Sequence, residues 1–164
     1  MSDPGARILV AGIGNIFLGD DAFGVEVSRR LAHVPLGSQV RLLDVGTRSL
    51  HLAYELLDGS YDTAILVDAV ARGGEPGTIY VLEPDDGSDI SVPVDGHGVR
   101  PEHALAMLRQ LGGTVGRTLI VGCEPERIDA GQALSLPVAA VVDEAVRIVV
   151  QLVHEAQGAA STNR

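Results

Sequence analysis

The sequence predicts an α/β fold, a single domain with a mostly parallel twisted sheet and helices on both faces. Two observations lead there. Short apolar runs ending in glycine or aspartate recur along the chain, and stretches of mixed apolar and charged residues at helical spacing separate them. A strand covered on both faces has no polar side, so it reads as a continuous apolar run. Residues 7–12 (RILVAG) form such a run, and residues 39–44, 63–68 and 117–122 repeat it. Residues 77–82 read as a further short strand, antiparallel at an edge. Between the runs, residues 21–32, 48–58, 101–111 and 137–155 carry helical patterns, with Phe23, Val27 and Leu31 sharing one face at i, i+4 and i+8. Pro101 and Pro137 fall where a first helical turn accepts proline, whose missing N–H has no partner there anyway. The domain is expected to span residues 7–155, with a short extension at 1–6 and a small, polar, frayed tail at 156–164. Residues 83–99 (EPDDGSDISVPVDGHGV) are too long and polar for a simple connection.

Composition narrows the function. The 164 residues are 46% hydrophobic, enough for one compact domain. A formal net charge of −10 argues against a nucleic-acid partner, because binding a phosphate backbone depends on cations displacing counterions. The single cysteine, Cys123, excludes an internal disulfide framework and a cysteine-rich zinc site, and suits the cytoplasm. No apolar h-region opens the chain, and no uncharged apolar run approaches the roughly 18 residues of a membrane span, so neither secretion nor membrane insertion is expected.

The chemistry concentrates after the first strand, where Gly12-Ile13-Gly14-Asn15 leads into Gly19-Asp20-Asp21-Ala22-Phe23-Gly24. Ligands of open α/β sheets bind at such junctions. A dinucleotide loop is one reading, with Asp44 as the ribose acid. Two features oppose it: the third glycine of G-x-G-x-x-G falls on Phe17, and two carboxylates open the helix where a pyrophosphate needs bare N–H groups. Asp20 reads as a helix N-cap, and Asp21 as either a partner of the helix dipole or a site residue. Asp68 ends the third strand, as an exposed terminator or as a second site acid. His97 lies on the long linker, solvated or ligating. Two carboxylates and one imidazole converging there would form an O,O,N site for a borderline divalent metal such as nickel, with positions left open. Cys123 is better read as a packing residue than as a nucleophile.

These residues resemble the hydrogenase maturation proteases, which trim the [NiFe]-hydrogenase large subunit after its metal centre is inserted. The matching elements are ILVAGIGN with LGDDAFGVEV, LLDVGT at 42–47, ILVDAV at 65–70, PGTIYVLEP at 76–84, His97 ahead of a helix, and LIVGCEPE at 119–126. A late G-x-x-L-S-x-x-V follows on Gly131, Leu134, Ser135 and Val138, so the likeness covers residues from about Ile8 to about Val153. The resemblance implies that Asp21, Asp68 and His97 contact the metal and carry the cleavage. Gly98 replaces the polar residue that often follows the family's histidine, and His103 is the alternative imidazole. It further implies a cytoplasmic, monomeric endopeptidase whose nickel arrives with the large-subunit precursor. A non-catalytic sensor of metal or partner is the competing reading. The chain has no H-E-x-x-H and no G-x-S-x-G, in keeping with a protease outside the serine, cysteine and zinc classes.

Overall fold

The computed structural model describes residues 6–84, 101–131 and 133–162. Each expected apolar run is a strand: β1 (Ile8–Ile13), β2 (Val40–Gly46), β3 (Thr63–Ala69) and β5 (Arg117–Cys123), with β4 (Ile79–Leu82) the short edge strand. The order across the sheet is β2-β1-β3-β5-β4. All pairs are parallel except β4 with β5, where Ile79 faces Cys123 and Leu82 faces Ile120. The antiparallel edge expected at 77–82 is therefore present.

The period-2 geometry of strands divides the apolar side chains between two layers. Ile8 and Val10 of β1, Ile65 and Val67 of β3 and Leu119 and Val121 of β5 face α1 (Phe23–Leu31) and α5 (Val142–Thr162). Leu9, Ala11, Ala64, Leu66 and Ile120 face α2 (Ser49–Gly59) and α3 (Pro101–Gln110). Helices cover both faces, which is why the central strands carry no polar side. Strand β2 lies at an edge and is the exception. Its Arg41 and Asp44 are exposed. The stripe foreseen on α1 is intact, with Phe23, Val27 and Leu31 fully buried.

Three boundaries differ from the sequence reading. A 3-10 turn at Gly19–Ala22 precedes α1, so the regular helix begins at Phe23 rather than at Asp21. The stretch 137–155 is not one helix. A single turn, α4 (Leu136–Ala139), comes first, and α5 restarts at Val142 with Asp143 and Glu144 in its first turn, where the helix dipole favours acids. Finally, α5 runs to Thr162, through most of the segment expected to fray. Ala156 is buried against the core and Gln157 donates to the Leu36 carbonyl, so the last turns have tertiary partners.

Because β1, β2, β3 and β5 all run the same way, their carboxyl ends form one edge. From β1 the chain goes to β2 on one side and then to β3 on the other, so the topology switches direction between β1 and β3. A crevice for ligands opens at that point in sheets of this kind.

Candidate functional site

Asp21 follows β1 and Asp68 is the last residue but one of β3, the two strands that flank the switch. Close backbone approach brings their segments together. A Cβ on Gly24 would lie 2.1 Å from the Val67 carbonyl and 2.3 Å from that of Ile13, so only glycine lets α1 begin against the ends of both strands. Gly14 is similarly constrained, at φ +146 and with a virtual Cβ 1.8 Å from the Asp21 carbonyl. The 3-10 turn carrying Asp21 thus packs against β3, whose next residue after Val67 is Asp68.

Asp21 is partly buried and its Oδ2 accepts the Asn15 N–H at 2.8 Å. Asp68 is only 2% exposed, and its Oδ1 accepts the N–H of Ala69 at 2.8 Å. The bare-terminator reading of Asp68 does not hold, since a terminator would be solvated. His97 lies outside the described residues. Its alternative, His103, stands in the first turn of α3, whose N-terminus faces the carboxyl edge because α3 leads back to the start of β5. The His103 Nε2 is buried and has no hydrogen-bond partner among the described residues. Among those residues, no group of three or more His, Cys, Asp or Glu is gathered closely enough to hold a metal ion. Of the three expected site residues, the described residues include Asp21 and Asp68.

Asp20 does not cap a helix. The N-cap positions of the 3-10 turn and of α1 are Leu18 and Ala22, and neither makes a side-chain cap bond. The fully buried Asp20 carboxylate instead accepts the N–H groups of Glu126 and Arg127 at 2.8 and 3.1 Å and the N–H and hydroxyl of Ser135 at 2.7 and 2.8 Å. Burial pushes its pKa up, but the donated bonds from Ser135, Arg127 and Glu126 outweigh it and hold the carboxyl below its ordinary value. Asp20 pins the segment after β5 to the turn that carries Asp21.

A third buried acid, Glu124, was missed from sequence. Glu124, directly after β5, is 6% exposed and accepts the N–H groups of Arg72 and Gly73 at 2.7 and 3.1 Å and the Tyr80 hydroxyl at 2.9 Å. Burial raises its pKa, yet the bonds from Arg72, Tyr80, Gly73 and Gly74 bring it below the usual value. It fixes the loop that leaves β3 just beyond Asp68. The only available signal was a charge abutting a fully apolar strand.

Cys123 is fully buried, and burial, with Asp20 and Glu124 adding negative charge, pushes its thiol up to about 12. A thiolate is the attacking form, so this sulfur is not a nucleophile near neutral pH. Cys123→Ala should keep processing activity within about twofold while losing roughly 1 kcal/mol of stability from the vacated volume. Abolished cleavage in a variant that still melts cooperatively would overturn the packing role.

Fold and site together define an open α/β protein with two carboxylates beside its topological switch and a buried thiol. The comparisons with known proteins specify the class. The family model described as hydrogenase maturation protease matches residues 25–152. The chain is 30% identical over 152 residues to the hydrogenase 2 maturation protease of Escherichia coli, covering 91% of this chain and 92% of that protein. It is 32% identical over 155 residues to the hydrogenase expression/formation protein HupD of Rhizobium leguminosarum bv. viciae, covering 92% and 76%. The solved structure of the hydrogenase maturating endopeptidase HybD from E. coli superposes with a TM-score of 0.78 at 28% identity, over 91% of this chain and 93% of that one. The chain belongs to the hydrogenase maturation protease family, and is a peptidase. Membership also removes the dinucleotide-loop reading of the glycine turn.

Proposed function

We propose that this peptidase recognises nickel already seated in a [NiFe]-hydrogenase large-subunit precursor through Asp21, Asp68 and His97, and that recognition licenses one cut releasing the precursor's C-terminal extension. The observation that carries this reading is the placement of Asp21, on the 3-10 turn that packs against β3, and of Asp68, near the end of β3, beside the switch between β1 and β3. The buried, high-pKa Cys123 supports it by removing the one thiol from the list of nucleophiles. Two carboxylates and an imidazole suit a borderline metal such as nickel better than magnesium, and they leave coordination positions for the precursor's own ligands. The ion supplies Lewis acidity to an oxygen bound to it. On this reading nickel is part of the substrate, and the peptidase alone binds it weakly. The lone cysteine suits a reducing compartment, and the reading includes action in the cytoplasm as a monomer. No helix of the described residues is long and apolar enough to cross a membrane.

Purified protein is to be mixed with precursor prepared with and without nickel, and the mobility shift of the large subunit followed. Only the nickel-loaded form should be shortened. Equal cleavage of both forms would refute the gating role of the three residues.

A further inference from the structure

One residue after Asp68 the chain leaves β3, and at Arg72 and Gly73 it meets the buried carboxylate of Glu124. We infer that Glu124 is a positioning residue for Asp68: by fixing the backbone over 70–73, it keeps the Ala69 N–H where Asp68 binds it. The inference rests on the peptidase reading above and adds to it a residue that acts through Asp68 rather than on the substrate.

The direction of the Ala69 N–H follows from the two ladders. Pairing of β3 with β5 runs on to Ala69 opposite Cys123, whereas pairing with β1 stops at Val67 opposite Gly12. Successive N–H groups along a strand point to opposite sides. Val70 N–H donates to the Cys123 carbonyl on the β5 side at 2.9 Å, so Ala69 N–H points to the β1 side, past the end of that ladder. Asp68 Oδ1 accepts it at 2.8 Å. This bond sets the Asp68 carboxylate on the side of the switch between β1 and β3, and its direction is that of the Ala69 peptide.

The backbone that follows is clamped onto the end of β5. Gly122, opposite Asp68, admits Val70: a Cβ there would lie 2.6 Å from Val70 Cγ2 and 2.9 Å from Val70 Cβ, so a larger residue would displace Val70. Glu124 takes the next peptides, with Oε2 accepting the Arg72 N–H at 2.7 Å and Oε1 the Gly73 N–H at 3.1 Å. Its backbone holds the far end of the same loop, accepting from Gly77 at 2.9 Å and donating to Thr78 at 2.8 Å. Residues 71–76 between these anchors are exposed. Exposed loop backbone with few packed side chains opens easily unless hydrogen bonds hold it. Each of the two N–H groups uses a different oxygen, so the clamp needs a carboxylate.

The test begins with amide hydrogen exchange in the free full-length protein, which needs no substrate. Glu124→Gln keeps the side chain's size but leaves one oxygen for the two N–H groups and turns an NH2 toward the other. Exchange should rise about tenfold or more at Arg72 and Gly73, and also at Ala69 and Val70. Acceleration confined to Arg72 and Gly73 would overturn the inference, because the clamp would then stop short of Asp68. Cleavage of nickel-loaded precursor is followed in single turnovers with the peptidase in excess, so that slow variants remain measurable. Glu124→Gln should lower the maximal rate about tenfold and leave the half-saturating concentration within about twofold, the split expected when a reacting group is misplaced and binding is kept. In the Asp68→Asn background the same change should alter the rate by less than about twofold, since the group it positions is gone. An equal tenfold loss in both backgrounds would overturn the inference and leave Glu124 a support of the fold alone. Gly122→Ala displaces Val70 without changing charge and should show the same coupling to Asp68→Asn. It carries both measurements if Glu124→Gln does not fold. Cleavage at the wild-type rate by both variants would overturn the inference and leave the peptidase reading standing. Faster exchange at Ala69 and Val70 in Glu124→Gln, with no cleavage of loaded precursor by the wild type, would retain the clamp and sink the peptidase reading.

Discussion

Asp20→Asn is expected to lower the melting temperature at pH 7 by roughly 10 °C, from a loss of about 3 kcal/mol at roughly 2–4 °C per kcal/mol for a chain of this size. The carboxylate is fully buried and accepts from four donors. Asparagine offers one oxygen, and its amide nitrogen brings two more donors against N–H groups that need an acceptor. From sequence, where Asp20 reads as an N-cap, the same change is expected to be mild, because asparagine caps a helix about as well as aspartate. The geometry reverses that expectation. The effect should also depend on pH. The folded carboxyl titrates below its unfolded value, so its stabilisation is complete above that value, about 3.9, and is lost as pH falls through the folded pKa. Wild type and variant should therefore converge in stability as pH drops below about 4. Melting curves at pH 7 that agree within 2 °C would refute the role given to Asp20.

Asp68→Asn and Asp21→Asn should each slow processing of nickel-loaded precursor by on the order of 10²–10³-fold, the range seen when one preorganised electrostatic group is removed. Both keep an oxygen where a backbone N–H donates, from Ala69 in one case and Asn15 in the other. What disappears is a negative charge at the switch between β1 and β3. Accumulation of unprocessed precursor that still contains nickel, together with a melting temperature near that of the wild type, is the expected pair of results. Normal processing by either variant would remove that residue from the site. His97→Ala should behave in the same way, and His103→Ala should not. The reverse result would transfer the imidazole role to His103.

The central strands were legible because β1 and the middles of β3 and β5 are buried on both faces, which leaves unbroken apolar runs at 8–13, 64–67 and 119–121. The edge strand β4 was legible as a further short run at 77–82. Helix ends were less so. Ala139-Ala140-Val141-Val142 contains neither glycine nor proline, so nothing in it announces the break between α4 and α5. Asp21 and Asp68 could be named from the glycine turn and the end of an apolar run, but not the packing of the Asp21 turn against β3, which depends on the backbone approach at Gly24. Asp20 and Glu124 were misread or missed for a related reason. Their partners lie tens of residues or more away in sequence, and no spacing rule connects a carboxylate to a backbone N–H at that separation.

The bonds from Asp20 to Ser135 span 115 residues, which bears on how the protein is made. A contact of that separation closes late, because a long loop must be ordered before the contact rewards it. As the chain emerges from a ribosome, β1 and the glycine turn exist well before their anchor does. The anchor of the turn holding Asp21 is complete only after residue 135 has docked. A nascent or C-terminally truncated chain would then carry the family's most recognisable motif without a set recognition edge, and the peptidase would gain its competence in one late step.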